Sequence, residues 1–470
     1  MITLFAAAAI ASAISGTTCE GLTGFTLDNA QITKAEAVDA GVFTPPAVAT
    51  TNPNNDVSAA EPIPAHCRLT LLLTPTNDST INAELWLPLE NWNGRFLAIG
   101  NGGWAGSIQG YPDMQMALRR GYATAASDAG HSAADGPNGM FALGHPEKLI
   151  DFAYRAIHDM TEKSKTIIAH AYQQPAEYSY YKGCSTGGRQ GVMAAQRYPE
   201  DFDGIIAGAL ANRHIHMHTA GAYRTIDMNR HPEKAIQYQY SADLVNKRMM
   251  QKCDVLKEGF LNDPRQCDFD VTSLQCTATS GEAGFGESCL SPYQTQTVQE
   301  YYGGLHNSKG ELIFSGQAMG NRLPLLPATY EAPNGGAFDT IRILGFQNPD
   351  YDWRQFDLDR DMPIIDEAAG YVDAVDPDLR EFEANGGKLL MYAGWNDTTI
   401  TPLNTIYYYE SVLEEMGAEQ DEWMRLFMVP GMGHCRGGDG PHEFDMLTKL
   451  EEWREEGDAP AEIPARNPVS

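Results

Sequence analysis

Strand-like and helix-like segments alternate from about residue 67 to residue 212, and the alternation resumes near residue 386. RLTLLL (68–73) and AELWLPL (83–89) read as strands, the second with clear period-two alternation. RFLAI (95–99) is a buried strand that runs into the glycine loop GNGG, and ATAASDAGH (123–131) is another strand-to-loop junction. Residues 147–172 have helical spacing, with Leu149, Phe152, Ile157 and Met160 among the apolar positions. AEYSYYKG (176–183) predicts a strand, GGRQGVMAAQRY (187–198) a helix, and DGIIAGAL (203–210) closes this first block. The rhythm is then lost over residues 213–375, which carry four of the eight cysteines, many tyrosines and long loop-like stretches. It returns with GGKLLMYAGWND (386–397), a helix around 406–416, a strand and loop in WMRLFMVPGMGHC (423–435) and a last helix in MLTKLEEWREEG (446–457). The pattern predicts an α/β fold whose core, residues 17–212 and 376–470, is interrupted by a cap or lid at 213–375.

Composition narrows the class. The chain has 470 residues, 43% of them hydrophobic and 20% charged, as in an ordinary soluble globular protein. A net charge of −29 lacks the basic footprint that nucleic acid requires. The first residues, ITLFAAAAIASAISG, form an uncharged apolar run with small residues at Ala11-Ser12-Ala13 and Ser15-Gly16, which predicts a signal peptide over 1–16 and a secreted or periplasmic protein. The alternative is a short buried helix, and no basic residue follows Met1 to strengthen the export reading. No other stretch is long and apolar enough to span a bilayer, so no membrane partner is expected. Eight cysteines behind such a leader imply four disulfides, for which sequence alone allows 105 pairings. None of their spacings is C-x2-C or C-x4-C, which leaves zinc a weak competitor.

Residues 183–187 spell G-x-S-x-G between a predicted strand and a predicted helix, the setting of a nucleophile elbow at Ser185. A hydrolase built this way needs an acid and then a histidine later in the chain, each at a strand's C-terminal end. Asp397 ends KLLMYAGWND, and His434 follows LFMVPGMGH. Each also has a plainer reading, Asp397 as a turn residue before a helix and His434 as a loop histidine. Cys184 directly precedes the serine, and Cys435 directly follows the histidine. If the two are bonded, the Cα atoms of Ser185 and His434 lie within roughly 14 Å of each other. The bond would also remove a rival thiol nucleophile. Oxyanion donors are expected from the backbone N–H of Thr186 and from Gly103 or Gly102 in the glycine loop, with Gly103 preferred.

The paired Cys-Ser and His-Cys with an intervening Asp, together with YKGCSTGGRQGVMAAQRYPEDFDGIIAGA, GGKLLMYAGWNDTTITP and PGMGHCRGGDGP, resembles the tannase and feruloyl esterase family. The resemblance implies an α/β-hydrolase core with a large lid and hydrolysis of small-molecule esters of aromatic acids. It also implies the bonds Cys184–Cys435, Cys19–Cys67, Cys253–Cys267 and Cys276–Cys289. Lids of that family carry a calcium loop after a Cys-Asp pair. Here CDVLKEGFLNDPRQC keeps Asp254 but has Lys257 where acids are expected, so no metal or other cofactor is predicted. Aromatic-diacid monoesters such as terephthalate monoesters are an alternative substrate, and a non-catalytic phenolic- or glycan-binding protein is an alternative of another class.

Three further groups bear chemistry. His214, His216 and His218 form H-x-H-x-H, which on one face of a strand would offer three imidazoles to a metal, or else a hydrogen-bonded lid entrance. Asp128 and His131 end another strand near the presumed site, as pocket lining or as support behind it. Tyr293, Tyr301 and Tyr302 would either stack on an aromatic acyl group or pack the lid.

Overall fold

The central sheet has nine strands among the described residues: β1 (Ala30–Val38), β2 (His66–Leu73), β3 (Ile81–Pro88), β4 (Arg95–Ile99), β5 (Ala123–Ser127), β6 (Tyr178–Cys184), β7 (Gly204–Gly208), β8 (Lys388–Gly394) and β9 (Met424–Val429). The computed structural model describes residue 14 and residues 18–46, 61–277, 288–329, 333 and 335–468. The expected leader, residues 1–16, lies outside them apart from Ile14. Strand order is β1-β2-β3-β5-β4-β6-β7-β8-β9. The β1–β2, β2–β3 and β3–β5 pairs are antiparallel, and every pairing from β5 onward to β9 is parallel.

The parallel strands are covered on both faces, and their side chains divide between two cores with period two. Phe96, Ala98, Ile205, Ala207, Leu389 and Met391 enter one core. Leu97, Ile99, Ile206, Leu390 and Tyr392 enter the other. Two-sided burial is why β4, β7 and β8 read as near-continuous apolar runs in the sequence. Between and after the strands lie helices α1 (Tyr111–Arg119), α2 (Ala156–Tyr172), α3 (Thr186–Arg197), α4 (His214–Arg230), α5 (Gln239–Cys253), α6 (Pro292–Gly303), α7 (Leu358–Ala369), α8 (Pro402–Met416) and α9 (Met446–Glu451).

Within residues 213–375, where loop-like stretches are expected, α4, α5, α6 and α7 form, and outside them two of the named elements are absent from the reading of the hydrophobic pattern. β1 is an edge strand in which only Ile32 is fully buried, so it has little alternation to detect. α1 starts with Tyr-Pro directly after the glycine loop, and its buried face is Tyr111, Met114, Ala117 and Leu118. The long helix expected over 147–172 is continuous in direction but contains a π-helical turn at Asp151–Arg155. There the buried Asp151 accepts hydrogen bonds from Ser79 Oγ at 2.5 Å and Arg155 Nε at 2.6 Å.

Among the described residues, the chain between β7 and β8 adds no strand to the central sheet. It has a core of its own, built around Val245, Met249, Leu290, Val298, Tyr301 and Tyr302, and holds the Cys253–Cys267 and Cys276–Cys289 bonds. Its two ends meet, since Ala374 N–H donates to Asn212 O at 2.7 Å and Ile215 N–H donates to Asp373 Oδ1 at 2.8 Å. The insertion rests on the loop that follows β8. Thr401 Oγ1 donates to Gly316 O at 2.6 Å, Asn321 Nδ2 donates to Asp397 O at 3.2 Å, and the Arg265 guanidinium lies 5.5 Å from the Trp395 ring centroid.

Candidate active site

β6 ends at Cys184 and α3 begins at Thr186, leaving Ser185 alone to make the turn, at φ 66°, ψ −123°. This is a costly conformation for a residue with a Cβ, and the surroundings enforce it. Ser185 N–H donates to Gly208 O at 3.0 Å, while Ser185 O accepts from Arg189 N–H at 3.1 Å and Ala211 N–H at 3.2 Å. The flanking glycines are needed for space. A Cβ on Gly183 would sit 2.5 Å from Gly187 O, and one on Gly187 would sit 2.9 Å from Asn101 O. Ser185 keeps 9% of its surface.

Asp397 follows β8 by three residues and is fully buried. Its Oδ1 accepts the backbone N–H of Thr399 at 2.8 Å and of Ile400 at 2.9 Å, and its Oδ2 accepts His434 Nδ1–H at 2.7 Å. An ionised carboxylate can only accept, so it fixes the proton on Nδ1 and leaves Nε2 as the free lone pair of a neutral ring. The loop bearing His434 leaves β9 through Gly431 and passes over Gly394, where a Cβ would lie 2.3 Å from Met432 O. Cys184 and Cys435 are bonded, with Cα atoms 6.0 Å apart. The Cα atoms of Ser185 and His434 are therefore within roughly 14 Å of each other. The other bonds are Cys19–Cys67, Cys253–Cys267 and Cys276–Cys289, so no thiol is free.

The glycine loop distinguishes its two candidate donors. Gly102 N–H is taken by Gln109 Oε1 at 2.8 Å. Gly102 O accepts Ala105 N–H at 3.0 Å, so across the planar trans peptide Gly103 N–H is turned the opposite way. Gly103 holds φ +56°, and its carbonyl accepts Thr186 Oγ1–H at 2.6 Å. Thr186 N–H opens α3 and has no carbonyl four residues back within the helix. The Thr186–Gly103 hydrogen bond thus ties the glycine loop to the residue that follows Ser185.

The histidine triplet lies on a helix, not a strand. At 3.6 residues per turn, His214 and His218 share one face and His216 points elsewhere. The rings of His214 and His218 are 4.3 Å apart and both meet Trp104 edge-on, at 4.8 and 4.9 Å. Burial lowers the pKa of His214 well below the usual value and that of His218 to about 4. His216 instead bonds Ile313 O at 2.9 Å and Asp366 Oδ1 at 3.0 Å. Among the described residues no group of three or more His, Cys, Asp or Glu is placed to hold a metal ion. Asp254 caps its own loop, accepting Glu258 N–H at 3.1 Å and Gly259 N–H at 2.9 Å.

Asp128 and His131 support the glycine loop from behind. Asp128 O accepts Gly106 N–H at 3.1 Å, the Asp128 carboxylate accepts three hydrogen bonds from Asn82 and Gly130, and His131 stacks on Phe141 at 3.7 Å. Tyr301 and Tyr302 are packed inside the insertion, with the Tyr302 hydroxyl donating to Asn321 O at 2.7 Å, whereas Tyr293 is exposed. A cavity of about 480 Å³ opens beside Ser185 and the Cys184–Cys435 bond, lined also by Gly102, Met116, Tyr392 and Phe444. Sequence reasoning missed Arg189, Gln190 and Asn101, polar residues buried around the elbow and the glycine loop. The only sequence signal they leave is their position inside otherwise small and apolar segments.

A mostly parallel sheet with a strained serine at the end of a middle strand, a bonded Asp–His pair on the loops after the last two strands and an insertion packed on the first of those loops defines an α/β-hydrolase of the carboxylic ester hydrolase class. The tannase and feruloyl esterase family model matches residues 67–469, and the chain belongs to that family. An uncharacterized esterase of Xanthomonas campestris pv. campestris is 32% identical over 509 residues, covering 97% of this chain and 85% of that protein. A probable feruloyl esterase B-2 of Aspergillus terreus is 32% identical over 436 residues, covering 88% and 81%. The crystal structure of feruloyl esterase B from Aspergillus oryzae superposes with a TM-score of 0.83 at 31% identity, covering 94% of this chain and 90% of that one. The tannin acyl hydrolase of Aspergillus niger shares the fold, with a TM-score of 0.73 at 22% identity over 95% of this chain and 88% of that one.

Proposed function

We propose that this protein is an exported serine esterase that hydrolyses feruloyl, galloyl or related aromatic carboxylic esters through an acyl-enzyme. Ser185 Oγ attacks the ester carbonyl as His434 Nε2 accepts its proton. Asp397 holds the ring in the Nδ1–H tautomer and stabilises the imidazolium that forms. The developing oxyanion is met by the N–H groups of Thr186 and Gly103. The imidazolium then protonates the departing alcohol, and water repeats the sequence to release the acid and regenerate Ser185. Residues 213–375 act as a lid over this centre, and no metal or organic cofactor takes part.

The observation that carries this reading is the 2.7 Å bond between a fully buried Asp397 and His434, whose loop is joined covalently to the residue preceding Ser185. The aromatic acyl preference draws on the named activities of the relatives. Export draws on the apolar leader and on eight cysteines that are all bonded. Among the described residues no helix is long and apolar enough to cross a membrane.

The test is release of p-nitrophenol from a short ester, followed by methyl ferulate, methyl gallate and a terephthalate monoester side by side. The reading expects Ser185→Ala to abolish every activity and chelators to leave them unchanged. Activity that persists in Ser185→Ala, or that is lost with EDTA, refutes it.

A further inference from the structure

The two oxyanion donors come from separate parts of the chain, Thr186 from the start of α3 and Gly103 from the loop after β4. Their mutual position therefore depends on what ties loop to helix. The approach is close. A Cβ on Gly100 would lie 2.8 Å from Gly187 Cα and 2.1 Å from the Tyr181 hydroxyl. Contact of glycine against glycine allows the approach but does not fix its register, because it is non-directional. Two buried side chains on α3 supply directional ties, Thr186 through its hydroxyl to Gly103 O at 2.6 Å and Gln190 through a paired contact with Asn101 at the start of the loop. Gln190 Oε1 accepts Asn101 N–H at 2.9 Å, and Gln190 Nε2 donates to Asn101 Oδ1 at 3.0 Å. Asn101 Nδ2 in turn donates to Ser127 O on β5 at 2.7 Å, which fixes which end of the amide faces Gln190. The Tyr181 hydroxyl donates to Gly187 O at 2.8 Å and approaches Gln190 Oε1 at 3.3 Å. Gln190 and Asn101 are 2% and 4% exposed, so water cannot substitute for either partner.

We propose that Gln190 is a positioning residue for the oxyanion hole. Its carboxamide pairs in both directions with Asn101 and so sets the Gly100–Gly103 loop against the helix that carries Ser185 and Thr186. The inference rests on the proposed reading of Ser185 as nucleophile and extends it to a residue that touches neither substrate nor the reacting atoms. Donors aimed at the oxyanion act only in the transition state, and they work because they are already in place before charge develops. A loop that drifts by a fraction of an ångström loses that complementarity while the ground-state ester still binds.

The experiment compares wild type with Gln190→Met, which is close in volume and removes both hydrogen bonds, and with Gln190→Asn, which keeps the amide but shortens it by one methylene. Ser185→Ala serves as the control for the underlying reading. Each variant is assayed for kcat and KM on p-nitrophenyl acetate, for inhibition by phenylboronic acid as a tetrahedral-adduct former, for its pH–rate profile and for Tm. The expected result for Gln190→Met is a kcat lowered 10- to 100-fold with KM within about twofold, a boronate inhibition constant raised in proportion, and an acid limb unmoved because His434 and Asp397 are untouched. Gln190→Asn should fall between the two, and it supplies the readout if Gln190→Met does not fold. A kcat within threefold of wild type overturns the proposal, as does a loss of kcat with unchanged boronate affinity or a displaced acid limb. Activity surviving in Ser185→Ala would instead overturn the reading of the site on which it rests.

Discussion

Replacing Cys184 and Cys435 together by alanine removes the covalent tie between the two halves of the proposed reaction centre, and the structure separates its two consequences. The bonded residues are 251 positions apart. In the chain-entropy account, opening a loop of that length costs on the order of 5 kcal/mol, because the unfolded chain regains the freedom the cross-link denied it. The two short bonds inside the loop shorten it only slightly, and the dependence is logarithmic, so the figure barely moves. With an unfolding entropy of about 2.1 cal/mol/K per residue, a loss of that size lowers Tm by roughly 5 °C in a chain of this length. The second consequence is local. Cys435 sits at φ 62° directly after His434, and freeing it lets the histidine loop relax away from the elbow. Turnover of p-nitrophenyl acetate should then fall by about 10² or more beyond what the lower stability accounts for, since small misplacements of catalytic groups are costly. The comparison is the Cys253→Ala/Cys267→Ala pair, whose bond spans a separation of 14 within the insertion. It should lose about 3 kcal/mol with kcat largely retained. Thermal unfolding by circular dichroism and steady-state kinetics well below Tm measure the two effects. If the Cys184/Cys435 variant unfolds earlier yet keeps kcat within threefold, the bond braces the chain without placing His434, and the argument is wrong.

Three other outcomes are expected. Arg189 is fully buried and donates to the carbonyls of Phe152, Ala153 and Val372 at 2.8–3.0 Å, so Arg189→Met should cost on the order of 3 kcal/mol, read from the shift in urea midpoint at constant m; an unchanged midpoint would contradict the assignment. Gly208→Ala places a Cβ 2.2 Å from Tyr392 Cζ beside the carbonyl that holds Ser185 N–H, and should lower both stability, by about 1–3 kcal/mol, and kcat; a variant matching wild type in both would refute the packing argument. Burial lowers the pKa of His218 to about 4, whereas the unfolded side chain titrates near 6.5, so the unfolded state binds more protons between these values and stability falls as pH drops from about 6.5 to 4. Asp128 and Asp373, both raised to about 6 by burial, oppose this trend below pH 6, so the measurement is a difference: the stability gap between wild type and His218→Gln should narrow by roughly 3 kcal/mol from pH 7 to pH 4, and a gap constant with pH would refute the assignment.

Much of the core is legible because its strands are read by burial alone. The runs at 96–99, 204–208 and 389–394 are apolar without interruption because helices cover both faces of a parallel sheet. β1 escapes notice for the opposite reason, being an edge strand with a single fully buried side chain. The H-x-H-x-H triplet misleads for a related reason. Spacing by two suggests a strand, but α4 is helical, and His214 and His218 pack side by side against the edge of Trp104 while His216 points elsewhere.

The sequence by itself determines the order of Ser185, Asp397 and His434, each at the end of a strand-like run, because strand periodicity and glycine spacing are local properties of the chain. It also marks Cys184 and Cys435 as neighbours of two of those residues, and an even number of cysteines for bonding. Tertiary structure alone decides that the Gln109 side chain takes Gly102 N–H and that the turn to Ala105 faces Gly103 N–H the other way. It alone brings Gln190 to Asn101, 89 residues away, and Asn321 to the carbonyl of Asp397. Hydrogen-bond direction and close backbone approach are relations between distant segments, and they come into being only when the sheet assembles.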